Sequence, residues 1–224
     1  MAAFIFELSK IETKAVRERM VGELANVDPK IAKRVGAGLG CTAKPRRSPS
    51  GQGQNGLAVS PALGILGKAR PTLEGRKVGC LVADGSDAKM VESLKAEAKR
   101  MKANCGVVAP KVGGASAADG SLIEADFQLV GAPSVLFDTV FVAISEKGAE
   151  MLSAEAAAVA WLHDAFAHCK VIGATRDAQP LLDKAGVVSD EGVLLGTALD
   201  TFLTRASNDG YGTAKLKSKQ SIST

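Results

Sequence analysis

The apolar residues of this chain change period along its length, and the change divides it. Over residues 1–39, Val16, Met20, Leu24, Val27, Ile31 and Val35 recur at three- and four-residue steps, while Arg17, Glu18, Arg19, Lys30, Lys33 and Arg34 fill the other positions. That spacing predicts amphipathic helices. Asp28 before Pro29 reads as the cap and first position of a second helix, so the pair breaks near 26–28, and Gly36 or Gly38 ends the second one. Two short helices cannot bury this much apolar surface between themselves. The stripe Phe4, Phe6, Leu8, Ile11, Val16, Met20 and Leu24 is therefore expected to need a partner, either the following domain or a larger neighbour to which it belonged.

Residues 40–74 hold four prolines, repeated glycines and a local excess of Lys and Arg, the composition of a linker, with Ser60-Pro61 able to open one helical turn. From residue 75 strands and helices alternate. GRKVGCLVA predicts a buried parallel strand over 75–83, and Asp84-Gly85-Ser86-Asp87 turns into a helix carrying Val91, Leu94, Ala98 and Met101 on one face. Next come a strand over 105–109, a glycine-rich turn over 110–121, one or two short strands within 122–130 and a buried strand over 137–144. Ser153 is expected to cap a helix reaching His168, with Val159, Leu162 and Phe166 inward. A strand over 170–174, a helix over 175–185 containing Pro180, an extended piece at Val187-Val188 and a helix over 198–206 complete the pattern, before a basic tail at 211–224. The fold class is α/β: a doubly wound, mainly parallel sandwich over 75–210 behind a helical segment and a Pro/Gly-rich linker.

Composition narrows the chemistry. With 224 residues, 46% apolar, the chain can bury a substantial core, and it reads as soluble, with no membrane span and no signal peptide. A net charge of +4, one Trp and one Tyr give little for a nucleic acid to bind. Four cysteines without a CxxC pair and only two histidines exclude a zinc ribbon or finger, and Cys80 and Cys105 read as small hydrophobes within strands. The turn at 84–87 lacks the glycine spacing of a dinucleotide loop and the Lys-Ser/Thr of a phosphate loop. His163 and His168 fall on different faces of one helix, where surface or interhelix hydrogen bonding is expected.

The run FIFELSKIETKAVRERMVGELANVDPKIAKRVGAGLG resembles the end of the catalytic part of large-subunit haem catalases. GRKVGCLVADGSD, GAPSVLFDTVFVAI and DAFAHCKVIGA resemble the carboxy-terminal domain that this class carries, and the likeness runs in order along nearly the whole chain. It implies a flavodoxin-like three-layer domain, a parent that decomposes hydrogen peroxide with haem, and as partners the catalytic region and sister subunits of a homotetramer. No haem, metal or other cofactor is expected in this fragment. The domain is in turn similar to class I glutamine amidotransferases and PfpI-type proteins, whose active members place a cysteine at a strand-to-helix elbow and a glutamate after the first strand. Here the elbow is expected at Gly173 and the glutamate position near Met90, while the family's Pro-Gly-Gly is replaced around residues 143–145. These departures imply no catalytic residue. They point to a structural role, or to ATP-independent holding of unfolded client proteins, ahead of residual hydrolase or deglycase activity.

Overall fold

In the computed structural model, which describes residues 2–41, 60–63 and 70–208, the chain divides into two units, Met1–Leu63 and Gly64–Thr224. The first unit contains α1 (Ala2–Ser9), α2 (Lys14–Val27) and α3 (Pro29–Gly38). Asp28 caps α3 by accepting from the Lys30 amide at 2.6 Å, with Pro29 in the first turn where a missing N–H costs nothing. Leu8, Val21, Leu24, Ala32, Val35 and Cys41 form its small core. Pro61–Leu63 is a single 3-10 turn, as Ser60-Pro61 suggested. The rest of the expected linker, 42–59 and 64–69, and the basic tail lie outside the described residues.

The second unit is built on a parallel six-stranded sheet. Its strands are β1 (Lys77–Val82), β2 (Asn104–Ala109), β5 (Phe127–Gln128), β6 (Thr139–Ala143), β7 (Ile172–Ala174) and β8 (Val193–Leu195), in the order β5-β2-β1-β6-β7-β8. Helices α4 (Ala88–Arg100) and α8 (Leu199–Asn208) cover one face; α5 (Glu146–Ser153), α6 (Ala156–Ala167) and α7 (Gln179–Lys184) cover the other. This is the α/β three-layer flavodoxin-like arrangement. β1 shows why it forms: Val78, Cys80 and Val82 point to α4 and α8, Leu81 to the opposite layer, and all are buried, as a central parallel strand requires.

Glycines open space for rings. Gly79 and Gly106 are register partners on β1 and β2, and a Cβ on Gly79 would lie 2.7 Å from the Phe137 ring. Phe137 packs edge-on to Phe127 and tilts against Trp161, whose Nε1 donates to the Ala132 carbonyl at 2.9 Å. The Lys77 ammonium sits 4.3 Å from the Phe127 ring centroid, a cation over a π face.

Helices α3, α4, α6 and α7 stop the same way, with Gly40, Lys102, Cys169 and Gly186 in the left-handed region just beyond the last turn. At α7 the Val187 amide reaches back to Leu182 and the Gly186 amide to Asp183, a Schellman closure with Val187 as its buried apolar residue. Val187-Val188 is therefore a helix stop, and the edge strand lies later, at Val193–Leu195. Ser153 does not cap a helix: it ends α5, an element the sequence reading missed, and its hydroxyl donates back to the Ala149 carbonyl at 2.6 Å. α6 begins after Glu155, which makes no side-chain cap. The glycine-rich turn carries β3 (Ala115–Ser116), paired antiparallel with β4 (Leu122–Ile123) in a separate hairpin. Among the described residues no helix is long and apolar enough to cross a membrane.

Candidate functional site

In a doubly wound sheet the place for a site is the carboxyl edge where strand order reverses, here between β1 and β6. The side chains delivered there come from the turn after β1, from Ser145 after β6 and from Thr175 after β7.

Each is engaged in holding the backbone. Ser86, 1% exposed, accepts from the Ala83 amide at 2.9 Å and donates to the Ala83 carbonyl at 2.7 Å, closing its own turn. Asp84 accepts from Lys111 Nζ at 2.8 Å and from the Ser116 amide at 3.0 Å, so it clamps the β3–β4 hairpin across the end of β1. The Lys111 hydrogen bond, then the Ser116 amide, hold the Asp84 carboxyl below its ordinary value, and it stays ionised. Asp87 caps α4 by accepting from the amides of Lys89 and Met90. Ser145 accepts from the Gly148 amide at 3.2 Å as the cap of α5. Thr175 Oγ1 donates to the Ile144 carbonyl at 2.7 Å and ties β7 to the end of β6.

The structure moves the elbow. Gly173 lies in the middle of β7, paired with Phe141, and a Cβ there would fall 2.5 Å from Phe141 and 2.6 Å from Phe202. The strand runs on to Ala174, so the strand-to-helix turn starts at Thr175, two residues beyond the expected position. A hydroxyl already donating to a main-chain carbonyl, with no histidine among its hydrogen-bond partners, is not an activated nucleophile. Met90 is a half-buried core residue of α4 whose amide donates to the Asp87 cap, and Glu92, two residues on, is exposed and paired with Lys95.

The thiols and imidazoles lie elsewhere. Burial pushes the Cys80 thiol well above its ordinary value and raises Cys105 to about 12, so neither is a thiolate at neutral pH. Cys169 ends α6 and precedes β7, at the opposite edge of the sheet from Thr175. His163 Nδ1 bonds the Ala185 carbonyl at 3.1 Å, joining α6 to the end of α7, and His168 Nδ1 bonds the Asp164 carbonyl at 2.7 Å. Both imidazoles are exposed. No group of three or more metal-ligating side chains converges among the described residues.

The predicted apolar stripe of the first unit is narrower than its sequence pattern. Leu8 and Leu24 are buried in that unit's own core and Ile11 is half-buried against it, because the break at Lys10–Thr13 turns α1 onto the others. Phe4, Phe6, Val16 and Met20 remain exposed, Phe6 at 62%.

Comparison with known proteins agrees with the fold. Residues 74–219 match a family model described as the C-terminal domain found in long catalases, and residues 1–39 match one described as catalase-related immune-responsive. Among curated relatives, Catalase C of Rhizobium meliloti is 42% identical over 195 residues, covering 86% of this chain and 28% of that protein. Catalase HPII of Pseudomonas aeruginosa is 33% identical over 204 residues, covering 90% of this chain and 28% of that protein. Catalase-1 of Neurospora crassa is 32% identical over 183 residues, covering 82% of this chain and 25% of that protein. The chain thus spans little more than a quarter of the length of the relatives it matches, and it belongs to the family of C-terminal domains found in long catalases, with a short catalase-related segment ahead of that domain.

Proposed function

We propose that this chain is the non-catalytic carboxy-terminal part of a large-subunit catalase, acting through its surfaces. In this reading the parent holds haem and decomposes hydrogen peroxide as a homotetramer, and this portion stabilises the sister subunits and holds unfolded proteins without ATP. The observation that carries the holding role is the exposure of Phe4, Phe6, Val16 and Met20 on α1 and α2, large apolar side chains that their own unit leaves outside its core. Such surface binds the apolar segments that unfolding proteins expose. The engagement of Ser86, Asp84, Ser145 and Thr175 in backbone hydrogen bonds supports the absence of turnover at the carboxyl edge.

The test is light scattering of a heated client enzyme with and without the purified chain. Suppression of aggregation is expected, and it is expected to disappear when Phe4→Ser, Phe6→Ser and Met20→Ser are combined. Suppression undiminished in that variant rejects these residues as the holding surface. A second reading, a purely structural domain packed on the catalytic region and shaping access to its haem, is favoured by Val130, Val135 and Leu136, exposed apolar residues on the turns between β5 and β6. It becomes the leading account if the unaltered chain leaves aggregation unchanged.

A further inference from the structure

The sheet has a second end, and a built cavity lies there. At the amino edge the segments entering β1, β6 and β7 and the last turn of α8 enclose about 240 Å³. Val135 and Leu136, exposed at 62% and 48%, supply its accessible apolar wall, and Leu73, Phe137, Val171 and Ala206, nearly fully buried, complete the lining. Two cations reach into this lining. Arg76 donates one guanidinium N–H, from Nη1, to the Ala206 carbonyl at 3.3 Å, which uses one of its five donors. Lys170 donates to the carbonyls of Ser134, at 2.6 Å, and Phe137, which leaves one of the three ammonium donors. Among the described residues the one carboxylate in the lining, Asp138, accepts from the Lys77 amide at 2.8 Å, and burial lowers the Lys170 ammonium from its ordinary value although Asp138 opposes that shift. Among the described lining residues, two cations thus stand against one engaged carboxylate, a net positive balance.

We propose that this cavity binds a small organic anion, a monocarboxylate on a compact aromatic or aliphatic body, with the carboxylate on Arg76 and Lys170 and the body against Val135 and Leu136. Size, walls and charge each select it. An apolar cavity of about 150 Å³ holds benzene, so this one has room for a ring with a carboxylate beside it. A bare inorganic anion leaves the apolar walls without contacts, and a cation meets Arg76 and Lys170. A guanidinium fork matches the two oxygens of a carboxylate. The site is distinct from the carboxyl edge, where relatives of this fold are expected to carry their chemistry.

The experiment is an amide-resolved NMR titration of the whole chain with three probes: phenylacetate, acetate and phenethylamine. Phenylacetate is expected to saturate with a Kd of about 0.1–1 mM, the range for so few heavy atoms, moving the amides of Arg76, Phe137, Lys170, Val171 and Ala206. Acetate and phenethylamine are each expected to bind at least tenfold more weakly. Arg76→Gln is expected to weaken phenylacetate at least tenfold, and Arg76→Lys to restore part of the loss. No saturable shift with phenylacetate at 10 mM, or equal binding of phenethylamine, overturns the proposal. Probe selectivity on the unaltered chain decides the matter even where Arg76→Gln fails to fold.

Discussion

Gly173→Ala tests whether position 173 is a packed strand residue or an elbow open to a substrate. In the strand the new methyl carbon would sit 2.5 Å from Phe141 Cδ2 and 2.6 Å from Phe202 Cδ2. Apolar carbons rest at about 3.5–4.0 Å, so both rings would have to retreat by about 1 Å. They have nowhere easy to go: Phe141 of β6 and Phe202 of α8 are buried against each other with centroids 5.2 Å apart. Overpacking of this kind costs about 1–3 kcal/mol, and the upper half of that range is expected here because two rings are involved. The single tryptophan, Trp161, is buried in the opposite layer and reports unfolding of this unit without touching the altered site. Urea titration followed by its fluorescence should show a lower midpoint at unchanged slope. In a Phe202→Leu background the same Gly173→Ala change should cost less, since one of the two obstructing rings is gone. A change within about 0.5 kcal/mol, the ordinary scatter of surface substitutions, would refute the packing argument and return position 173 to the elbow.

Three further outcomes follow from individual contacts. Cys169→Gly should stabilise the domain by about 1 kcal/mol, because a side-chain-bearing residue held at a φ of 57° carries a strain that glycine lacks; a midpoint that falls instead means the thiol makes a contact worth more than that strain. Trp161→Phe should cost about 1–3 kcal/mol by leaving the buried Ala132 carbonyl without its donor, measured by circular dichroism on urea titration. Cys80 and Cys105 have folded-state values raised above the ordinary 9.0, Cys105 to about 12, so the unfolded chain loses their protons first. Their contribution is complete below pH 9 and declines as pH rises above it, by about 1.4 kcal/mol per thiol per pH unit. Comparing Cys105→Ala with the unaltered chain at pH 8 and pH 10.5 isolates one thiol; a stability gap that does not narrow at the higher pH would reject its burial as neutral thiol.

The strands and helices that pattern makes visible are those whose residues bury by their own period. β1, β2 and β6 are continuous apolar runs, and α4 repeats Val91, Leu94 and Ala98 inward. What escaped the sequence reading depended on geometry between residues. α5 carries a signal in Ser145, Glu146, Ala149 and Leu152, but Ser153 has the same cap chemistry and an alanine-rich run after it. Val187-Val188 has strand composition, yet Gly186 before it closes a helix and buries Val187 as part of the stop. At the carboxyl edge the turn expected at Gly173 begins two residues later, at Thr175. Nothing in Val-Ile-Gly-Ala-Thr says where the strand ends; pairing of Ala174 with Val142 and the Thr175 hydroxyl on Ile144 decide it. Spacing places Leu8 and Leu24 in the stripe on α1 and α2, but packing with a third helix turns both inward. The cavity at the amino edge joins residues from 73 to 206 and has no local signature.

On the proposed function, this chain acts by surface and packing and supplies no turnover. The most direct test is the full-length parent with and without residues 75–210, followed for peroxide consumption per haem and for subunit assembly during heating. Unchanged peroxide consumption per haem at ambient temperature is expected in the deleted form, with its assembly lost at a lower temperature. Peroxide consumption abolished while assembly stays intact would place chemistry in this domain and contradict the account, as would assembly equally resistant to heat in both forms.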